Sequence, residues 1–400
     1  MRRKFTWFLI LLGLVVLSMV IAYGWTQWRA YQAQQARQAA QTALEGGQPE
    51  QAEQILSNLL ADQSAPQPWT PQALQLRLQA LQAIGDSGAL QSVARRMLDP
   101  DHPWYQADGP LWAKARAILG EAALAAGNIE EASRYFQPLL DLAKDRPAQQ
   151  RAMLGVARIE MAQGELTAAQ QRLRQLHQYL APACELRPAV EHALGLVNTR
   201  LLAHGEHVAI HTVERGETIA GIAKRYDISP DLLLRINQIQ DPRRLSIGRR
   251  LRIPDLDFSI VVDKTRNTLT LYNKGAFFKK YRIRTGQSEY MTPNGEFKIR
   301  NKVKNPSWTD PRTLKSYPPN HEDNALGARW LGFNQSGLGI HEATDPQTIG
   351  HYASQGCVGM FEEDVKELYD LVSLGTPVQI KGHIERSPIH TGADDALTTR

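Results

Sequence analysis

Near His207 the chain changes its hydrophobic periodicity, and that change excludes a single repeated fold. Residues 30–205 are rich in Ala, Leu and Gln and poor in strand formers, which is helical composition. After Pro254 the pattern becomes that of strands. Phe258 to Val262 is apolar and β-branched, and Thr268-Leu269-Thr270-Leu271-Tyr272 alternates with period two. Asn273-Lys274-Gly275 reads as a turn, so Leu269–Tyr272 and Phe277–Thr285 are expected to form a hairpin. Gly295–Ile299 and Pro377–Ile380 read as further strands. Val365, Leu368, Tyr369 and Val372 recur at helical spacing within 362–374. At 400 residues the chain has room for about two to four domains.

Arg2, Arg3 and Lys4 precede an apolar run from Phe5 to Trp25 that holds no charge. About 20 such residues match the hydrocarbon core of a bilayer. The run predicts a single-pass anchor in the cytoplasmic membrane over residues 1–29. The basic flank would leave the bulk of the chain outside, in the periplasm or wall zone. A cleaved signal peptide is the competing reading, with Ala22 and Gly24 as its small residues. The net charge is +5. For this length that excess permits an anionic surface or polymer as partner but does not call for nucleic acid. Only two cysteines are present, Cys184 and Cys357. They lie in segments of different character and are expected to be unpaired. A free thiol in an oxidising compartment calls for an explanation.

Within the helical region, Leu44, Gly47 and Ala52 share their spacing with Leu124, Gly127 and Ala132, and with Met161, Gly164 and Ala169. A Gly between two Ala-rich runs marks a tight turn between antiparallel helices, and Gly85 fits as a fourth copy. The segment loosely resembles tetratricopeptide-like hairpins, which implies either a curved surface for a protein partner or a spacer.

Residues 207–254 have another texture. Thr212 and Val213 form a short strand. Thr218 caps a helix through Ile219, Ile222 and Ala223, and Ser229 with Pro230 starts a second helix. Leu245, Gly248, Leu251 and Ile253 complete a turn and a strand. This succession, with Gly216, Tyr226, Leu233, Asn237 and Pro254, resembles a LysM domain. The resemblance implies a βααβ module that binds glycan strands carrying N-acetylglucosamine, here those of peptidoglycan.

The chemistry concentrates in Gly339-Ile340-His341-Glu342 and Ser354-Gln355-Gly356-Cys357-Val358-Gly359. A thiol reacts as thiolate, and an imidazole nearby can take its proton. A Gly before the Cys allows a sharp turn that aims amides at a developing oxyanion. By spacing alone a Cys and a His 16 residues apart are weak evidence, and on these residues alone Cys357 reads better as a small buried hydrophobe. The wider context is more specific. Thr292-Pro293-Asn294-Gly295-Glu296-Phe297, Leu326-Gly327-Ala328-Arg329-Trp330-Leu331, Gly339-Ile340-His341, Pro346, Ile349-Gly350 and Ser354-x-Gly356-Cys357-Val358 stand in the order of the L,D-transpeptidase catalytic domain, which residues 257–383 resemble.

That resemblance implies a mainly β domain acting on peptidoglycan stem peptides without metal or cofactor. In it Cys357 is the nucleophile and His341 the base. The amides of Gly356 and Cys357 hold the oxyanion, and Ser354 shapes the loop. Two departures stand out. The family's usual Arg after the Cys-Val pair is Gly359 here, and Glu342 follows the histidine. Glu342 is expected to orient His341 or reach the place of the missing guanidinium, and Arg329 to replace its charge. The rival functions are hydrolysis of the thioester, attachment of a protein, and a wall-binding scaffold with an impaired domain. Trp308, Trp330 and Tyr317 are expected as core or groove walls, His351 as a surface residue, His321 and Glu322 in a solvated flap, and Cys184 as a buried inert thiol. Residues 384–400 read as a loose tail. The expected architecture is thus multidomain: transmembrane helix, all-α repeat region, LysM module, mainly-β catalytic domain.

Overall fold

The computed structural model describes residues 2–61, 69–105, 109–141, 147–204, 208–310 and 313–383, with the side chains of 2–12 and 203–208 excepted. The tail expected at 384–400 lies outside the described residues. The chain divides into two compact units, Met1–Glu165 and Leu166–Arg400.

The first unit contains helices α1 (Arg2–Glu45), α2 (Pro49–Ala61), α3 (Thr70–Ile84), α4 (Ser87–Leu98), α5 (Pro110–Ala125), α6 (Ile129–Leu140) and α7 (Pro147–Gln163). Among the described residues no helix is long and apolar enough to cross a membrane. This corrects the expected transmembrane helix, the anchor over 1–29 and the single-pass membrane localisation. The apolar run covers under half of α1. Further along, α1 is polar and buries Ala33, Ala40 and Ala43.

The glycine pattern read from the sequence marks real turns. Gly47, Gly85 and Gly127 all have φ between +70° and +81° and each follows a helix end, a conformation that favours glycine. Ala52 and Ala132 are fully buried at the start of the next helix. Successive helices pack side by side around Leu56, Leu74, Leu78 and Met97, then around Phe136, Leu139 and Val156. Phe136 is clamped between two further glycines. A Cβ on Gly120 would come within 2.7 Å of its ring, and one on Gly155 within 2.4 Å.

The second unit begins with α8 (Leu166–Tyr179) and α9 (Arg187–His204), continues through β1 (Val208–Thr212), α10 (Ile219–Arg225), α11 (Pro230–Ile236) and β2 (Arg250–Pro254), and ends in a large sheet. The strands of that sheet are β3 (Phe258–Asp263), β4 (Thr268–Asn273), β5 (Ala276–Gly286), β6 (Gly295–Lys304), β9 (Arg329–Phe333), β10 (Gly339–Glu342), β11 (Tyr352–Ser354), β12 (Val358–Met360) and β13 (Pro377–Lys381). Between β6 and β9 lies a small hairpin, β7 (Trp308–Thr309) and β8 (Ser316–Tyr317). Helix α12 (Glu362–Leu371) follows β12.

Strands β1 and β2 pair antiparallel around two helices, the expected βααβ order. Thr218 caps α10 by accepting from the Gly221 amide, 3.1 Å. Ser229 precedes Pro230 at the start of α11 but makes no cap bond; its hydroxyl accepts from Lys302 Nζ instead, 3.1 Å. Lys302 also donates to the Val372 carbonyl, and Lys304 pairs with Asp231. Burial pulls Lys302 down to about 8, with Asp231 and Asp370 opposing. These bonds fasten α11 to β6 and to the end of α12.

The large sheet runs β11-β5-β12-β10-β9-β6-β13-β3-β4, and β4 pairs again with β5, so eight strands close on themselves. Closure leaves those strands no free edge. Ile283, Ile340, Val358 and Met360 point into the core with Leu269, Leu271, Leu331 and Val378. Alternation along β5, β12 and β10 therefore turns Arg284, Gly359 and His341 to the outer face. Helix α9 packs on β5, where Asn198 donates to the Phe278 carbonyl, 2.8 Å.

The Phe136 clamp gives a direct test of the helical packing. Gly155→Ala is expected to lower stability by about 1–3 kcal/mol in urea denaturation of the full chain, and Phe136→Leu in the same chain to recover part of the loss. Unchanged stability in Gly155→Ala would contradict the packing.

Candidate active site

Strands β10 and β12 run parallel, with Ile340 opposite Val358 and His341 opposite Gly359. On either side, Trp330 of β9 stands opposite His341 and Arg284 of β5 opposite Gly359. Four neighbouring strands thus carry one row on the outer face: Arg284, Gly359, His341, Trp330. Cys357 lies two residues before Gly359, so the period of two returns its side chain to this face. The register sets His341 opposite Gly359, two residues after Cys357.

His341 is 5% exposed. Its Nδ1 lies 2.6 Å from the carbonyl oxygen of Glu342, and this bond assigns the proton to Nδ1 and the lone pair to Nε2. Burial and then the Arg284 charge push its pKa down to about 4, against the opposing pull of the Glu342 and Ala325 carbonyls. The ring is therefore a neutral base. Cys357 is partly exposed, and its thiol donates to the Gly337 carbonyl, 3.3 Å. Burial raises its pKa, while the Gly339 amide and Arg284 oppose that rise. With the imidazole low and the thiol high, the resting pair is thiol and imidazole rather than thiolate and imidazolium.

The loop before Cys357 is held tightly. Ser354 is buried and donates to the Cys357 carbonyl, 2.5 Å. Gly356 has φ +104°, a conformation closed to side chains with a Cβ. Opposite this turn, a Cβ on Gly286 would lie 2.0 Å from the Tyr290 carbonyl oxygen and 3.1 Å from the Gly356 Cα. Thr292 accepts the Gly286 amide, 2.8 Å, and Lys264 donates to the Thr292 carbonyl, 2.6 Å. The Thr292 motif read from the sequence thus braces the turn that carries Cys357.

The residues expected to replace the missing arginine do otherwise. Glu342 accepts the Ala328 amide, 2.7 Å, and lies across Gly327. It fastens the 324–328 loop; its carbonyl, not its carboxylate, orients His341. Arg329 is turned onto the ring of Tyr369, 5.3 Å away, and donates to the Ala328 carbonyl. The side chain that lies across Gly359 is that of Arg284, which the sequence reading passed over. A Cβ on Gly359 would lie 2.5 Å from Arg284 Nε and 2.7 Å from its Cγ, so the arginine lies directly across Gly359.

Trp330 flanks the site, its ring 6.1 Å from that of His341. Trp308 and Tyr317 stack across the β7–β8 hairpin, and His321 leans on Tyr317. His351 is exposed as expected. Cys184 is partly exposed rather than buried, and both cysteines are free thiols.

Comparison with known proteins places the chain. The L,D-transpeptidase catalytic domain family matches residues 257–380, and the LysM domain family matches residues 211–254. The class is therefore an enzyme, a peptidoglycan L,D-transpeptidase. A putative L,D-transpeptidase of Bacillus licheniformis, YkuD, is 31% identical over 177 residues, covering 43% of this chain and 98% of its own length. Another of Bacillus subtilis, YqjB, is 32% identical over 126 residues, 30% of this chain and 69% of its own. Among solved structures, an L,D-transpeptidase from Stackebrandtia nassauensis is 29% identical with a TM-score of 0.26, over 32% of this chain and 56% of that one. This chain belongs to the L,D-transpeptidase family.

The proton arrangement sets two pH dependences. Alkylation of Cys357 should keep rising from about pH 6 to about pH 9, because the thiol titrates above neutrality; a plateau below about pH 6 would mean a resting ion pair. His341 binds its proton at about 4 when folded against an ordinary 6.5. The unfolded chain therefore takes up that proton first, and stability falls as pH drops from 6.5 toward 4. His341→Gln should lessen that loss in melting curves taken across this range; an unaltered pH dependence would contradict it.

Proposed function

We propose that this chain forms an acyl-enzyme on Cys357 from peptidoglycan stem peptides and passes the acyl group to an amine, cross-linking or remodelling the wall. The observation that supports this reading most is the parallel β10–β12 register, which sets His341 opposite Gly359, two residues from Cys357.

In this mechanism Cys357 Sγ attacks the carbonyl at the L-centre of the third stem residue, a diamino acid. The thiol proton passes to His341 Nε2. Negative charge develops on the carbonyl oxygen, for which the amides of Gly356 and Cys357 serve as donors. The C–N bond to the terminal D-Ala breaks, and His341 returns the proton to the departing amine. A thioester on Cys357 remains. An acceptor amine attacks it, gives its proton to His341, and releases the thiol with a new amide bond. Ser354 keeps the loop in register through its bond to the Cys357 carbonyl.

The LysM module supports glycan strands as the wall component held beside the site, since Lys302, Lys304 and Arg235 join its second helix to the catalytic domain. Wall association outside the cytoplasm follows from the same module. The helical unit, with its glycine-turned hairpins, supports a tetratricopeptide-like surface for a protein partner.

Resemblance to this family implies that a carbapenem acylates Cys357, which gives a test without natural substrate. The intact mass should rise by one adduct in the wild type and stay unchanged in Cys357→Ala. His341→Gln should slow adduct formation by about 100-fold or more. A wild-type protein left unmodified would contradict the reading and favour a wall-binding scaffold.

A further inference from the structure

We propose that Arg284 is the positioning residue of the Cys357 thiol: reaching across Gly359 from the neighbouring strand, it supplies the fixed positive charge beside the sulfur. This deepens the reading of Cys357 as the acyl-accepting thiol and rests on it.

The geometry has three parts. First, Arg284 and Gly359 are register partners on adjacent strands, and the arginine side chain fills the space that a side chain at 359 would take. Only glycine at 359 leaves that path open. Second, the guanidinium is anchored from one side alone. Nη1 donates to Thr348 Oγ1, 3.0 Å, and Thr348 is held in turn by the Asp345 carbonyl, 2.5 Å. Arg284 Nε is buried and has no hydrogen-bond partner among the described residues. An unmet buried N–H is costly unless an acceptor arrives in the working cycle. Third, burial disfavours the charge of Arg284 while Asp345 and Cys357 favour it, and Arg284 in turn opposes protonation of His341.

The consequence is a division of labour. The guanidinium favours the thiolate as the proton leaves Sγ, and it disfavours the imidazolium that receives this proton. After sulfur has bonded to the acyl carbon, His341 is left a strong acid, and the proton moves readily to the leaving amine. A charge on β5 thus serves both halves of acylation through Cys357 and His341.

The experiment is the pH profile of Cys357 alkylation by iodoacetamide in the full chain, with carbapenem adduct formation read beside it. Arg284→Met keeps the bulk and removes the charge. It should raise the apparent thiol pKa by about one unit and slow alkylation at neutral pH about tenfold. Gly359→Arg alone should also lose rate, because its Cβ collides with Arg284. Joined with Arg284→Ala it should regain rate over both single variants, since the charge is then restored from the other strand. Melting temperatures report whether each variant is folded. An unchanged pH profile in folded Arg284→Met, or a double variant no faster than Arg284→Ala, would overturn the proposal. Alkylation needs no turnover, so a wild type that forms no carbapenem adduct would sink the acyl-enzyme reading alone.

Discussion

The parallel pairing of β10 with β12 is the constraint on which the site depends. Parallel strands need a crossover, and here it carries residues 343–357, including the Thr348 anchor and the Ser354–Cys357 turn. A slip of one residue in this register would send His341 into the core and Ile340 out. Burial of Ile340, Val358 and Met360 inside the closed sheet resists that slip. The chemistry outside is thus held in register by the apolar packing within.

Electrostatics then set what the paired groups do. His341 is neutral because it is buried near a guanidinium, and Cys357 is a thiol because it too is largely desolvated. Neither group is poised by itself. Such an arrangement keeps the reactive thiolate scarce and so limits oxidation of a free thiol.

Much of this was legible in the sequence because it lay in local patterns. The LysM module, the Gly-marked helix turns and the strands after Pro254 each carry their signal within a short stretch. Ser354 and Gly356 were legible as parts of one motif. Arg284 was not. It sits in a run with Lys279, Lys280 and Arg282, which reads as the solvated face of a hairpin, and only the register against Gly359 gives it a place. Glu342 and Arg329 were misread for the same reason: adjacency to the motif suggested roles in the site, whereas the fold turns one onto the 324–328 loop and the other onto Tyr369. The apolar run at the N-terminus misled differently. A hydrophobic stretch was read as a membrane span, but it continues as one helix into a polar segment whose alanines pack in the helical unit.

The central claim is that acyl transfer passes through Cys357. The most direct measurement is mass analysis of the protein quenched during a single turnover with a tetrapeptide-bearing muropeptide. The account predicts an adduct equal to the donor less D-alanine, on the peptide that contains Cys357. Release of D-alanine with no adduct there, or with the acyl group on another residue, would contradict it.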